Sequence, residues 1–311
     1  MKSLNEEIAE TLDKKRLWNK WNEHVLRLSE QIAKKQIKAS QLSKLIESHN
    51  HSLEDIHTMS VLKLISTVLK KEQEGFSQEQ EEITGAKLKY QEAVTALNEL
   101  EKEKKMYEEH RDSLGEVHQA SENLLYRKKQ LIEDENTVWS EKLYEITSRE
   151  IELLGGEQEL SEAVDAGEHV YYSLEDSLKA LDKASNWSVM DLIDRGMVTT
   201  YMKHSQLDNA KDSLHRAERR LRQFQDELID VEQHEYIQLD IGDFLSEADT
   251  FFDDIILSWL IHNRVREVSD KISSIQEAVS EFVNLLKEKR TDIKKQRIRL
   301  SEERVNILRN A

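Results

Sequence analysis

The chain of 311 residues contains no proline. Average usage of about 5% would give roughly fifteen. Proline removes a backbone donor and its ring clashes with the preceding helical turn, so its absence leaves long helix interiors unbroken. Glycine is scarce as well, with eight residues. Cysteine is absent, which excludes disulfides, thiolate catalysis and cysteine-ligated zinc. Long apolar runs are missing too. The longest, Ile255 to Ile261, is interrupted by Ser258 and falls far below the roughly 20 residues that a bilayer-crossing helix needs. Met1 to Glu10 is polar and amphipathic, without the apolar core or small-residue cleavage site of a signal peptide. These absences lead to the expectation of a soluble cytoplasmic chain, indifferent to redox compartment.

What is present is charge and helical period. Charged residues make up 34% of the chain, hydrophobic residues 38%, and mean hydropathy is −0.72. That is little for a thick core but enough for narrow seams, since two apolar positions in seven are only about 29%. Trp18, Trp21, Val25, Leu28, Ile32, Ala39, Leu42 and Ile46 follow 3-4 spacing, which predicts one long N-terminal helix to about Ser48. Ser52 with Asp55, and Ser77 with Gln80, resemble capping boxes. A short helix over Leu53 to Leu69 and a long one from Ser77 are therefore expected. Gly115 marks a hairpin turn near Ser113 to His118. Gly155-Gly156 predicts a further turn or kink, because each glycine costs roughly 1 kcal/mol against alanine in a helix. Ser188 is a candidate N-cap for a short turn over Val189 to Ile193, ended by Gly196. Leu207, Ala210, Leu214, Ala217, Leu221, Phe224, Leu228 and Val231 form the most regular stripe. Another break is expected over residues 238–242. No period-2 run of useful length occurs.

The predicted fold is all-α: elongated antiparallel helical hairpins with coiled-coil packing. Its expected parts are residues 1–72, an N-terminal helix plus a short one; 77–154, a first long hairpin; 158–235, a second hairpin with a corner at 185–197; and 239–311, a long C-terminal helix.

Charge is unevenly spread. Residues 1–48 carry ten Lys/Arg against seven Asp/Glu, and residues 287–311 nine against four. With a net charge of −17 overall, residues 49–286 hold −25. An acidic middle argues against nucleic acid, whose phosphates need clustered cations. The preferred reading is that the basic ends pair with acidic helices of the same bundle. The other is that they contact an anionic membrane surface, through Trp18 and Trp21 at one end and Lys294, Lys295, Arg297, Arg299 and Arg304 at the other.

Chemistry has few footholds. His204 and Asp208, at i and i+4, share a helix face and are weak metal-ligand candidates. His49, His51 and His57 form a loose cluster that reads as solvated. There is no phosphate-binding glycine loop and no nucleophile motif. No catalytic residue, cofactor or small-molecule substrate is expected, and the chain is read as a non-enzyme.

Three passages carry a resemblance. WSVMDLIDRG at 187–196 followed by MKHSQLDNA at 202–210, EEITGAKLKY at 81–90, and ELSEAVDAGEHV at 159–170 resemble segments of a group of uncharacterised long-helix bacterial coiled-coil proteins. The resemblance implies a helical, soluble bacterial protein and carries no activity. The expected function is structural or interaction-based: a scaffold, adaptor or self-assembling component whose helix seams recognise protein partners, itself included. A peripheral membrane-binding or membrane-remodelling helical protein is the first alternative. A helical pore-forming toxin component is the second, with the lack of a long apolar hairpin against it.

Overall fold

The computed structural model describes residues 4–48, 78–117, 119–123, 138–190, 197–233, 237, 239–242, 244 and 265–310. The expected helix over Leu53 to Leu69, the capping residues Ser52, Asp55 and Ser77, the three histidines of the loose cluster and Gly196 lie outside them. The described residues form five long helices: α1 Leu4–Ser48, α2 Gln78–Ser113, α3 Val138–Met190, α4 Met197–Glu232 and α5 Val265–Asn310. No strand occurs among the described residues, so the all-α class is as the missing proline and the 3-4 spacing require.

Helix α3 is the spine. Its 53 residues span about 80 Å at 1.5 Å per residue, longer than the roughly 50 Å diameter of a compact chain of this length. Both α4 and α5 pack along it. Leu160, Val164, Leu174 and Leu181 of α3, Leu214, Leu221, Phe224 and Leu228 of α4, and Ile272, Ile275, Val279 and Leu286 of α5 make one buried cluster. α5 runs antiparallel to α3, because rising numbers meet falling ones: Glu157 pairs with Arg297, Glu168 with Lys287, and the Tyr171 carbonyl accepts from Gln276. After α4, Phe244 inserts its ring between Phe224 and Phe282, at centroid distances of 5.9 and 4.9 Å. α1 and α2 form a second, thinner pair. It too is antiparallel, since Val25 and Leu28 cluster with Leu100 and Tyr107, and Ile46 with Ala86.

Two expectations are corrected. Gly155-Gly156 does not break the chain: α3 runs straight through both residues, so 154 and 158 are not hairpin boundaries and Ser188 lies inside the helix rather than capping a new turn. Helical stability in a protein comes mainly from packing of the apolar face. Here Leu153 and Leu160 anchor that face on either side, while the Arg16 side chain lies over Gly155. The second correction concerns pairing. Among the described residues the helix packed lengthwise on α2 is α1, a partner that the hairpin reading of 77–154 does not include. The turn at Gly115 itself is where the sequence put it: α2 ends at Ser113, the Gly115 N–H donates to the Asp112 carbonyl at 3.3 Å, and Gly115 takes φ +70°. An L side chain rarely adopts that left-handed conformation.

Of the glycines Gly85, Gly115, Gly155, Gly167 and Gly242, Gly167 has the closest neighbours. A Cβ there would lie 2.5 Å from Val283 Cγ2 and 2.9 Å from Phe224 Cε2. Both neighbours are buried and have nowhere to retreat. At Gly155 a Cβ would meet only Arg16 Cδ, at 3.7 Å. The two glycines should therefore respond oppositely to alanine. Gly155→Ala gains helix propensity and should raise stability by up to ~1 kcal/mol. Gly167→Ala should lower it by about 1–3 kcal/mol through overpacking. Urea midpoints of the two variants check this; equal shifts of one sign would contradict the packing described.

Candidate functional site

Apolar packing joins α1 to α2, and α3 to α4 and α5. Charge joins the two groups. Along α1, Arg16, Lys20, His24 and Arg27 recur at helical spacing and face outward from the α1–α2 seam. Opposite them stand Glu159 and Glu162 of α3 and Asp226, Glu227 and Asp230 of α4. Lys20 Nζ lies 2.9 Å from Glu159 Oε2, 2.7 Å from Glu227 Oε2 and 3.8 Å from Asp230 Oδ2, and it also pairs with Glu162. Arg16 pairs with Glu159 as well. Arg27 reaches Asp226 at 2.6 Å and Asp230 at 3.1 Å. His24 is fully buried, its Nε2 2.7 Å from Asp230 Oδ2, while Nδ1 has no hydrogen-bond partner among the described residues.

Aromatic rings close one side of this cluster. Trp21 stacks on Tyr107 at 5.4 Å, and His24 meets the Tyr107 ring edge-on at 4.8 Å. Lys20 Nζ lies 5.7 Å from the Trp21 ring centroid, within cation–π range.

Two smaller ionic contacts tie α2 to α4. Glu92 pairs with Lys211 at 2.6 Å and with His215 Nε2 at 3.0 Å. Glu103 accepts from Arg222 at 2.9 Å and from Gln223 at 3.2 Å. Rising numbers meet rising ones, so α2 and α4 run parallel, bridged by long polar side chains.

Burial sets the electrostatics of these groups. Desolvation would lower the ammonium pKa of Lys20, but Glu227, Glu159 and Glu162 outweigh it and hold the pKa above the ordinary lysine range. Burial also pushes Asp226 and Glu227 above the usual carboxylate range, against the pull of His24 and Arg27 on the first and of Lys20 on the second. Asp230, also desolvated, is drawn below its ordinary value by His24, Arg27 and Lys20. Burial pushes the Tyr107 phenol up, and Glu103 and Asp226 push it further. For His215, burial would lower the pKa, but the hydrogen bonds and charges of Glu218 and Glu92 raise it to about 9.

Three carboxylates, those of Glu159, Glu227 and Asp230, bring oxygens within 4.8 Å of one another. That is the convergence a hard cation would use. The Lys20 ammonium already stands among them, so a cation of the chain itself occupies the convergence. The sequence candidates fall elsewhere. His204 and Asp208 lie one turn apart on α4, and Asp208 is exposed. Trp21 is spent on packing against Tyr107, and Trp18 is half-buried. On α5, Arg297 pairs with Glu157 at 2.9 Å, Arg304 with Glu150 at 3.0 Å and Lys295 with Asp292 at 3.2 Å, while Lys294 and Arg299 are exposed. The basic ends therefore do pair with the acidic middle. The cage itself was not among the sequence candidates. Its signal was a one-sign stripe on α1 facing acidic i, i+3 and i+4 pairs on α3 and α4. No family model, curated protein or solved structure matches the chain.

Removing Lys20 leaves buried carboxylates facing one another, and breaking a buried ion pair from one side costs about 3–5 kcal/mol. Lys20→Met should lower the unfolding free energy by that amount at pH 7. The loss should shrink as the pH falls, because protonating a carboxylate relieves the repulsion. A variant as stable as the parent at pH 7 would contradict the cage.

His215 gives a pH signature at the opposite end. Its folded pKa, about 9, lies above its ordinary 6.5. The stability it contributes is complete below about 6.5 and is lost as the pH rises through about 9. Glu92 is held below its ordinary range despite burial, by His215 and Lys211, so its contribution is present above that range and lost as the pH falls. The difference in melting temperature between the parent and His215→Gln should be largest at mildly acidic pH, above the ordinary glutamate range and below about 6.5, and should close above pH 9. A difference independent of pH would overturn the assignment.

Proposed function

We propose that this chain is an interaction scaffold that holds recognition faces on long, mutually braced helices. The observation that carries the reading is a set of apolar residues left outside the packed seams at helical spacing. Leu26 and Ile37 of α1 are both well exposed. Eleven residues is close to three turns, so they share one face. Ala33 lies between them, also exposed, and Lys34 and Lys38 adjoin. Val25, Leu28, Ala39 and Ile46 point the other way, into α2. Such a stripe fits an amphipathic partner helix with acidic flanks, through seam burial for affinity and flanking charge for selection.

The membrane-peripheral reading has one observation in its favour: exposed Lys294, Lys295 and Arg299 around exposed Ile298 and Val305 on α5. Among the described residues, no helix is long and apolar enough to cross a membrane.

Both readings are separable. The chain, isolated from its native cells and rebuilt with a purified co-isolating protein, should bind that protein. The pair Leu26→Glu and Ile37→Glu should weaken binding at least tenfold, about 1.4 kcal/mol, without changing helix content. Binding unchanged by the double variant would remove the α1 face from the proposal. Floated with phosphatidylserine vesicles at physiological salt, the chain should stay with the unbound fraction. Co-flotation abolished by Lys294→Glu with Arg299→Glu would replace the scaffold reading with the membrane one.

A further inference from the structure

The chain passes between its two groups of helices once. α1 and α2 come first, and the crossing to α3 lies between Ser113 and Val138. Each group buries its own apolar seam. In the first, Val25 and Leu28 close on Leu100 and Tyr107, and Ile46 closes on Ala86. The second holds the main core. Among the described residues, Leu88 is the buried member of that core that comes from α1 or α2. Separating the two groups therefore leaves both seams closed.

The layer between the groups is of the opposite kind. Arg16, Lys20 and Arg27 of α1 meet carboxylates of α3 and α4. Glu92 and Glu103 of α2 meet Lys211 and Arg222 of α4. Removing one member of such a pair strands the other charge in the interior, which is strongly destabilising. Separating the whole layer strands none. Both signs return to water together, and the hydration they recover offsets most of the attraction that is lost. Within a chain, relative motion is the default across an interface that is not large and hydrophobic.

We propose that α1 and α2 undock from α3, α4 and α5 as one unit, by opening this ionic layer, while the seams inside each group stay closed. Docked, Lys20 of α1 covers Glu159, Glu227 and Asp230. Undocked, α3 and α4 present those carboxylates to solvent. The single connection between Ser113 and Val138 keeps the moving pair tethered, so the exchange is reversible and independent of protein concentration. Salt favours the open state, because separated charges are exposed to screening ions and buried pairs are screened much less.

Spin-label distances in the full chain test it. The sequence has no cysteine, so paired cysteines at the exposed positions Glu30 on α1, Lys102 on α2, Asp212 on α4 and Asn284 on α5 carry the labels alone. Lys102→Cys with Asn284→Cys reads across the ionic layer. Glu30→Cys with Lys102→Cys, and Asp212→Cys with Asn284→Cys, read within each group. On adding Lys20→Met, the distance across the layer should gain a population longer by at least about 10 Å, the diameter of a helix. Its share should grow as salt is raised from about 0.1 to about 1 M, with both within-group distances unchanged. If Lys20→Met does not fold, Arg27→Met, at the less buried edge of the layer, should produce the same change to a smaller extent. A distance across the layer that stays as in the parent at about 1 M salt would overturn the undocking. So would within-group distances that spread in step with it, because the chain would then be loosening as a whole.

Discussion

The arrangement of the helices depends on one buried ammonium. Among the described residues Lys20 is the cation that pairs with Glu159 and Glu227 at once, and it does so from a helix that otherwise packs elsewhere. A buried ion pair is weak support for stability, since desolvation offsets most of the attraction. The directions of the pKa shifts say the same here. Asp230 and Glu92 are held below their ordinary values and favour the folded state at neutral pH. Asp226 and Glu227 are held above theirs and oppose it. What such a cluster provides is a register. An apolar seam tolerates slippage by a heptad, whereas a lysine displaced by one turn would leave several carboxylates buried without a counter-ion.

That constraint explains a division of labour between contact types. Packing along each seam is apolar and directionally permissive, built from residues such as Leu28 against Leu100, or Leu174 and Leu181 against α4 and α5. Contact across the two groups of helices is made by long polar side chains in specific pairs, with Leu88 of α2 as an apolar member that reaches the main core. Gly167 serves the same end by a different route. It lets Phe224 and Val283 approach one point of α3, so the three helices of the larger group are fixed lengthwise there. One residue sets position by volume and the other by charge.

Much of this was legible in the sequence, and the exceptions have physical causes. The absence of proline and the 3-4 spacing pointed to an all-α chain of long helices, and the stripe from Leu207 to Val231 is buried from Ala210 on. The Gly115 turn could be read because a left-handed terminus needs a residue without Cβ. Gly155-Gly156 misled, because propensity costs about 1 kcal/mol per glycine while the neighbours Leu153 and Leu160 bury whole side chains, worth about 1.5–3 kcal/mol each. Helix pairing was not legible: heptads state that a seam exists and are silent on which helix fills it. The ionic cage was hidden for a related reason. Arg16, Lys20, His24 and Arg27 have the spacing of a solvated charged face, and only the arrival of α3 and α4 over them turns that face into an interior. Of the three resembling passages, ELSEAVDAGEHV holds Glu159, Glu162 and Gly167 together, so the two lengthwise fixings of α3 lie within twelve residues.

The uneven charge of the chain takes its meaning from this. A basic α1 and a basic end of α5 flank an acidic middle, and the ion pairs of Arg16, Lys20, Arg27, Lys287, Arg297 and Arg304 consume much of that asymmetry internally. Cations used in this way are not available to a membrane, and Trp21 is held under Tyr107 rather than presented outward. What remains outside is different in kind: single apolar residues, Leu26 and Ile37 on α1, Leu154 on α3 and Ile298 and Val305 on α5. A helix that has satisfied one seam and carries a second has the pattern of a member of a larger bundle, because nothing in the first seam requires Ile298 or Leu154 to be apolar. Both side chains keep a large exposed fraction, Leu154 38% and Ile298 47%.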